Sequence, residues 1–225
     1  MRSRWLIYGL LFLCGSRVHA GEVLDGILAT VNGHVILQSD VDEELRYENL
    51  MSGHEQQGTN DDDRKKILDR LVDRELLTEQ VSTTEFAPTT ADEIEKQLEQ
   101  VKSDYTQNIK TSWTAAIASH GFTETEIRDR IALELNQWKL IDARLRPSVQ
   151  IDQTAIEDYY NRQFLPELRR SGAQPISLQE GAPKIRELLT QQKINEALAS
   201  WLETLRSQAQ VRIFISNPPQ PDQRQ

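Results

Sequence analysis

The stretch GEVLDGILATVNGHVILQSDVDEEL, residues 21–45, changes its period in the middle. Two short extended segments, Val23–Thr30 and Val35–Gln38, flank Asn32-Gly33, a dipeptide suited to the left-handed positions of a two-residue hairpin turn. From Ser39 the spacing becomes helical. Ser39 and Asp42 read as a capping box, and Val41, Leu45 and Leu50 give a sparse apolar side. A two-stranded ribbon is not stable alone in water, so this hairpin must rest on helices.

The rest of the chain supplies them. Met51 to Asp63 is polar and contains glycine, which predicts a loop. Arg64 to Phe86 repeats Ile67, Leu68, Leu71, Val72, Leu76, Leu77 and Val81 at spacings of three and four, and Pro88 closes that helix. Thr90 with Glu93 and Thr123 with Glu126 are two further capping boxes. The first opens a thinly striped helix (Ile94, Leu98, Val101, Tyr105). The second opens a longer one carrying Ile127, Ile131, Leu135, Trp138, Ile141 and Leu145. Between them Trp113–Ile117 forms a short helix stopped at His120-Gly121.

Asp152 caps a short helix holding Ile156, Tyr159 and Tyr160, and residues 166–183 read as a connection. The last strong helix, from about Pro183 to Arg206, buries Ile185, Leu188, Leu189, Ile194, Leu198, Trp201, Leu202 and Leu205. VRIFI, Val211–Ile215, is a strand able to return to the hairpin, and 216–225 is a solvated tail. The expected fold is mainly α with a small β-sheet, built from an N-terminal hairpin and a returning C-terminal helix and strand.

Residues 1–20 read as an export leader: Arg2 and Arg4, an apolar core Trp5–Cys14, then Val18-His19-Ala20 before the cut. The apolar run is shorter than the roughly 20 residues needed to span a bilayer. Bulky Leu13 argues against lipid attachment at Cys14. Cleavage removes Arg2, Arg4 and Arg17 and no acid, so a formal charge of −9 becomes −12. It also removes the only cysteine, so no disulfide or thiol is left to matter in an oxidising compartment. The acidic balance offers phosphates no basic stripe, which argues against nucleic acid as a partner.

No pattern in the chain points to an active site. His34, His54 and His120 share no ligand spacing, and no glycine-flanked serine or phosphate loop is present. The acidic groups 40–44, 61–63 and 92–95 fall in first helical turns and polar loops, where they complement helix dipoles. Neither metal nor cofactor is expected. Trp138 and Trp201 sit in strong stripes and read as core. Trp113 and the Tyr159-Tyr160 pair lie in weaker elements that could line a groove for extended apolar or aromatic peptide, as could the face around Leu50-Met51.

Taken in order, these segments resemble the SurA-type periplasmic chaperones. ILATVNGHVILQSDVDEEL resembles the opening of that family's N-terminal module, LVDRELLTEQ its next helix, and SVQIDQTAIEDYYNRQF the segment that closes it. KIRELLTQQKINEALASWLETLRSQAQVRI resembles the C-terminal helix and strand that return to the module. The resemblance divides the chain into a leader (1–20), a chaperone module (21–165), a short connection (166–183), the returning helix and strand (184–215) and the tail (216–225). Where the family inserts parvulin-type isomerase domains, only residues 161–183 remain, too few for such a domain.

The resemblance therefore implies a periplasmic, ATP-independent holdase for unfolded outer-membrane proteins or extended peptides. It would have no prolyl isomerase or other enzyme activity and no stable membrane insertion after the leader is cut. Leu50, Met51, Trp113, Tyr159 and Tyr160 are the candidate peptide contacts. The alternative is an envelope scaffold that binds one folded partner. Weak or domain-swapped self-association stays open.

Overall fold

The computed structural model describes residues 25–53, 60–109 and 111–214. The expected leader (1–20), Val23–Leu24 of the first strand, His54, Ile215 and the tail lie outside them. Strands β1 (Ile27–Val31) and β2 (His34–Leu37) form the hairpin, with Asn32 and Gly33 at φ 48° and 93° in the turn. Strand β3 (Val211–Ile213) adds antiparallel to β1, pairing Val31 with Val211 and Ala29 with Ile213, so the sheet order is β2-β1-β3. The first and last described elements are thus neighbours, and the domain is mainly helical around this small antiparallel sheet.

The helices are α1 (Gln38–Ser52), α2 (Asp61–Thr83), α3 (Ala91–Ile109), α4 (Trp113–Ser119) and α5 (Glu124–Leu145). After a turn of 3-10 helix come α6 (Gln153–Tyr159), α7 (Leu165–Ser171) and α8 (Leu178–Gln208). Both later capping boxes form: the Thr90 N–H donates to Glu93 Oε2 at 2.7 Å, and the Thr123 N–H to Glu126 Oε2 at 2.7 Å. The one expected at Ser39 and Asp42 does not. Instead Asp40 accepts from the Leu37 N–H at 2.7 Å and Asp25 from the Ser39 N–H at 3.1 Å, while Asp42 pairs with Arg64 at 2.7 Å. Similarly, Asp61–Asp63, expected in a loop, form the first turn of α2, because the Asn60 side chain accepts from the Asp63 N–H.

The expected connection from 166 to 183 is largely helical. Helices α6 and α7 are joined by one wide turn, Tyr160–Phe164, in which the Leu165 N–H reaches Tyr160 O five residues back. Pro166 follows at once. It has no N–H to donate and its ring would crowd a normal α-turn, and the wider turn accommodates both. Helix α8 then begins at Leu178, with Ser177 accepting from the Glu180 N–H, and Pro183 lies inside it.

Apolar side chains gather in two cores. In the first, the sheet (Ala29, Val31, Ile36) packs on α2 (Ile67, Leu71, Val72, Leu76), the C-terminal half of α5 (Leu140, Leu145) and α8 (Ile194, Trp201, Leu205). In the second, the end of α1 (Leu50), α3 (Leu98, Tyr105), α4 (Trp113, Ala116, Ile117) and Phe122 meet the N-terminal half of α5 (Ile127, Ile131). Helix α5 belongs to both. Two stripe assignments need correction. Trp138, expected in the core, is 51% exposed, and Leu188 is 39% exposed. Trp138 continues the side of Ile127 and Ile131, about three turns beyond Ile127 along α5 and past the end of the second core, and the first core does not include it.

Candidate functional site

Between the two cores α5 carries a polar stripe: Arg130, Glu134 and Gln137, spaced by four and three residues on one side of the helix. Opposite it stands Glu44 of α1. Its carboxylate accepts from Arg74 of α2 at 2.6 Å and also from Arg130. The Arg130 guanidinium lies over the Tyr47 ring, its Cζ 4.0 Å from the centroid. Gln137 is the buried polar residue of the seam. Its Nε2 donates to Arg74 O at 3.0 Å and to Thr78 Oγ1 at 2.9 Å. Three helices are thereby tied together through one carboxylate, at the place where apolar packing passes from one core to the other.

This network forms one wall of an open cleft of about 500 Å³, bounded by β2, α1, α2 and α5. Ile36, Leu71 and Leu133 supply apolar surface. Six carboxylates line it, those of Asp40, Glu43, Glu75, Glu126, Asp129 and Glu134, together with His34, Arg74 and Arg130. Asp40 and Glu126 serve as helix caps, and Glu75 faces His34 at 3.6 Å. Among the described residues Glu43, Asp129 and Glu134 have no ion pair or hydrogen bond to another side chain. Burial raises the Glu134 pKa, and the like charge of Glu44 adds to the rise against the pull of Arg130 and Arg74. As a whole residue Glu134 is solvent-exposed, so the direction comes from local crowding of its carboxyl within the cleft. Burial likewise raises the Tyr47 phenol well above the ordinary tyrosine value, with Glu134 adding to it.

The peptide contacts expected from sequence lie elsewhere. Leu50 is fully buried in the second core, and Trp113 is nearly so, edge-on to Tyr105 with ring centroids 5.4 Å apart. Met51 is half-buried and borders a smaller cleft with Val101, Tyr105 and Ile109. Leu50, Met51 and Trp113 therefore come together, chiefly as packing. Tyr159 and Tyr160 sit apart from them on the α6–α7 run, half-buried, with the Tyr160 hydroxyl donating to Ile176 O at 2.6 Å. The signal that could have located the seam is the 130, 134, 137 spacing, a polar stripe with helical period inside an otherwise apolar helix.

Among the described residues no three or more His, Cys, Asp or Glu side chains converge to hold a metal ion. None of the described helices is long and apolar enough to cross a membrane. The chain matches no protein-family model and no curated protein.

Proposed function

We propose that this protein is a SurA-like periplasmic holdase, exported by its leader, that shields extended segments of unfolded outer-membrane proteins without nucleotide and without prolyl isomerase activity. The observation that carries the reading is the open cleft of about 500 Å³ with apolar surface inside and charge at its rim. Its size falls in the range of about 300–1,000 Å³ usual for ligand sites. A membrane-barrel strand alternates apolar and polar side chains. Laid across the cleft, it would direct one set towards Ile36, Leu71 and Leu133 and the other to the rim. The order of hairpin, helices and returning strand supports the same reading through the resemblance described above.

The test is dilution of a urea-unfolded outer-membrane barrel protein into buffer, followed by light scattering. The protein is purified from cells expressing the whole sequence, so that any N-terminal processing is the cell's own, and its N-terminus is read by mass spectrometry. Dose-dependent suppression, with a mature chain starting at Gly21, is the expected result. No suppression at several-fold excess of folded protein would overturn the holdase reading and favour a scaffold with a single folded partner.

A further inference from the structure

We infer that the cleft selects extended peptide segments in which lysine or arginine alternates with apolar residues, the cation seated among Glu43, Asp129 and Glu134. The inference rests on the reading of the cleft as the place where cargo binds, and it specifies the chemistry of that cargo.

Three observations lead to it. First, most carboxylates near a cation are already spent on one. Glu44 holds two arginines, Glu93 holds Lys139, and Glu187 holds Arg146. The three rim carboxylates from α1 and α5 are not, although they line one cavity. The six lining carboxylates outnumber the two lining arginines, Arg74 and Arg130, both of which Glu44 already holds; like charges in such excess repel one another, and a bound cation relieves that repulsion. Second, the same cavity has apolar surface from Ile36 and Leu71, both nearly buried, beside the charges. The aliphatic stem of a lysine or arginine, or a flanking leucine, would cover it while the charged head stays at the wetter rim.

Third, Arg130 lines the cleft with its side chain nine-tenths buried, and its Nη1, which has no hydrogen-bond partner among the described residues, is closed to solvent in the free protein, so an acceptor reaches it only when the cleft wall shifts around a bound ligand. A buried donor without an acceptor is costly. A peptide carbonyl oxygen is an acceptor that a free metal ion or a simple amine does not bring. The carboxylates do not converge tightly enough to chelate an ion. A polypeptide supplies both groups at once: a cationic side chain for the rim and main-chain oxygens for the arginine. The burial that raises the Glu134 pKa fits the same picture, since a bound ammonium or guanidinium beside it would favour its charged form.

The experiment measures fluorescence anisotropy of two labelled extended peptides with the same alternating leucines, one with lysine and one with glutamate between them. Each is titrated with the whole purified protein and with the Glu43→Gln/Asp129→Asn/Glu134→Gln variant, whose folding is checked by circular dichroism. The lysine peptide should bind about ten-fold tighter or more. That preference should shrink to about two-fold in the variant, and it should weaken as salt shortens the screening length from about 10 Å at 0.1 M.

Equal binding of the two peptides, or a preference that survives in the folded variant, would overturn the inference. Running barrel-protein aggregation on the same samples separates it from the holdase reading. Suppression without a charge preference removes only the cargo chemistry. A cleft-dependent preference without suppression removes only the holdase.

Discussion

Replacing Glu44 with glutamine should destabilise the fold far more than loss of an ordinary surface charge. The Glu44 side chain is 14% exposed, and it pairs with Arg130, 10% exposed, and Arg74, 30% exposed. Removing one partner of a buried ion pair costs about 3–5 kcal/mol, because the other charge is left uncompensated. Arg74 can recover part of its hydration, so its share is small. Arg130 cannot: its Nη1 is already without a partner, and the Tyr47 face replaces only part of a carboxylate. Glutamine keeps one oxygen as an acceptor, which places the expected loss near the lower limit, at about 3 kcal/mol. For a domain of this size that corresponds to a fall in Tm of about 6–12 °C.

Urea denaturation followed by far-ultraviolet circular dichroism measures the loss, and a double-mutant cycle identifies its cause. In an Arg130→Met background the buried charge is gone, so Glu44→Gln should cost about 1 kcal/mol or less, a coupling of about 2 kcal/mol. A single-variant loss below about 1 kcal/mol, or the same loss in both backgrounds, would show that Glu44 does not hold the seam in this way.

Truncating the two stripe tryptophans should separate them. Trp201→Ala, losing a buried ring beneath Arg144, should cost about 3–5 kcal/mol, whereas Trp138→Ala, half-exposed, should cost less than about 1 kcal/mol in the same urea assay. Hydrogen bonds from Lys139 and from Thr90 hold the Glu93 pKa at about 2. A depressed carboxylate stabilises the fold above its unfolded value of 4.5, and that contribution disappears as pH falls towards 2. Glu93→Gln should therefore lose less stability than wild type across that window, and parallel curves would refute the assignment. Glu134 has the opposite sign: its raised folded-state pKa makes the ionised form costly at neutral pH, and the cost is relieved as pH falls through that value. Glu134→Gln should thus raise Tm at pH 7, with the gain narrowing in acid; a lower Tm at pH 7 would refute it.

Features written in local chemistry were legible in the sequence. Asn32-Gly33 adopts the left-handed turn that its composition demands, and Thr90–Glu93 and Thr123–Glu126 close their capping boxes. What escaped depends on competition between neighbouring caps and turns or on partners in other elements. Asp40 and Asp25 outcompeted Ser39 for the start of α1, with Asp42 drawn to Arg64 on α2. Proline and glycine between 166 and 183 suggested a connection, yet a single wide turn and a Ser177 cap keep most of that stretch helical. Trp113 looked free because α4 is short, but the burial comes from Tyr105 of α3, eight residues earlier in sequence and in a different helix.

The candidate site was the least legible part, and α5 shows why. Its N-terminal half gives Ile127 and Ile131 to one core, and its C-terminal half gives Leu140 and Leu145 to another. Between them the helix has a stretch that neither core covers. A stripe read along the whole helix placed Trp138 inside; the end of the second core leaves it half in solvent. On the side facing α1 and α2, the gap between the cores leaves room for Glu44, Arg74, Arg130 and Gln137 to close a polar seam and for the cleft beside it. The seam is satisfied except at Arg130 Nη1, whereas Glu134 is held where ionisation is disfavoured. Local conflict of this kind concentrates at binding sites, where a ligand supplies the missing partner. On that physical ground the rim carboxylates are a stronger site candidate than Trp113, whose apolar surface the fold already uses.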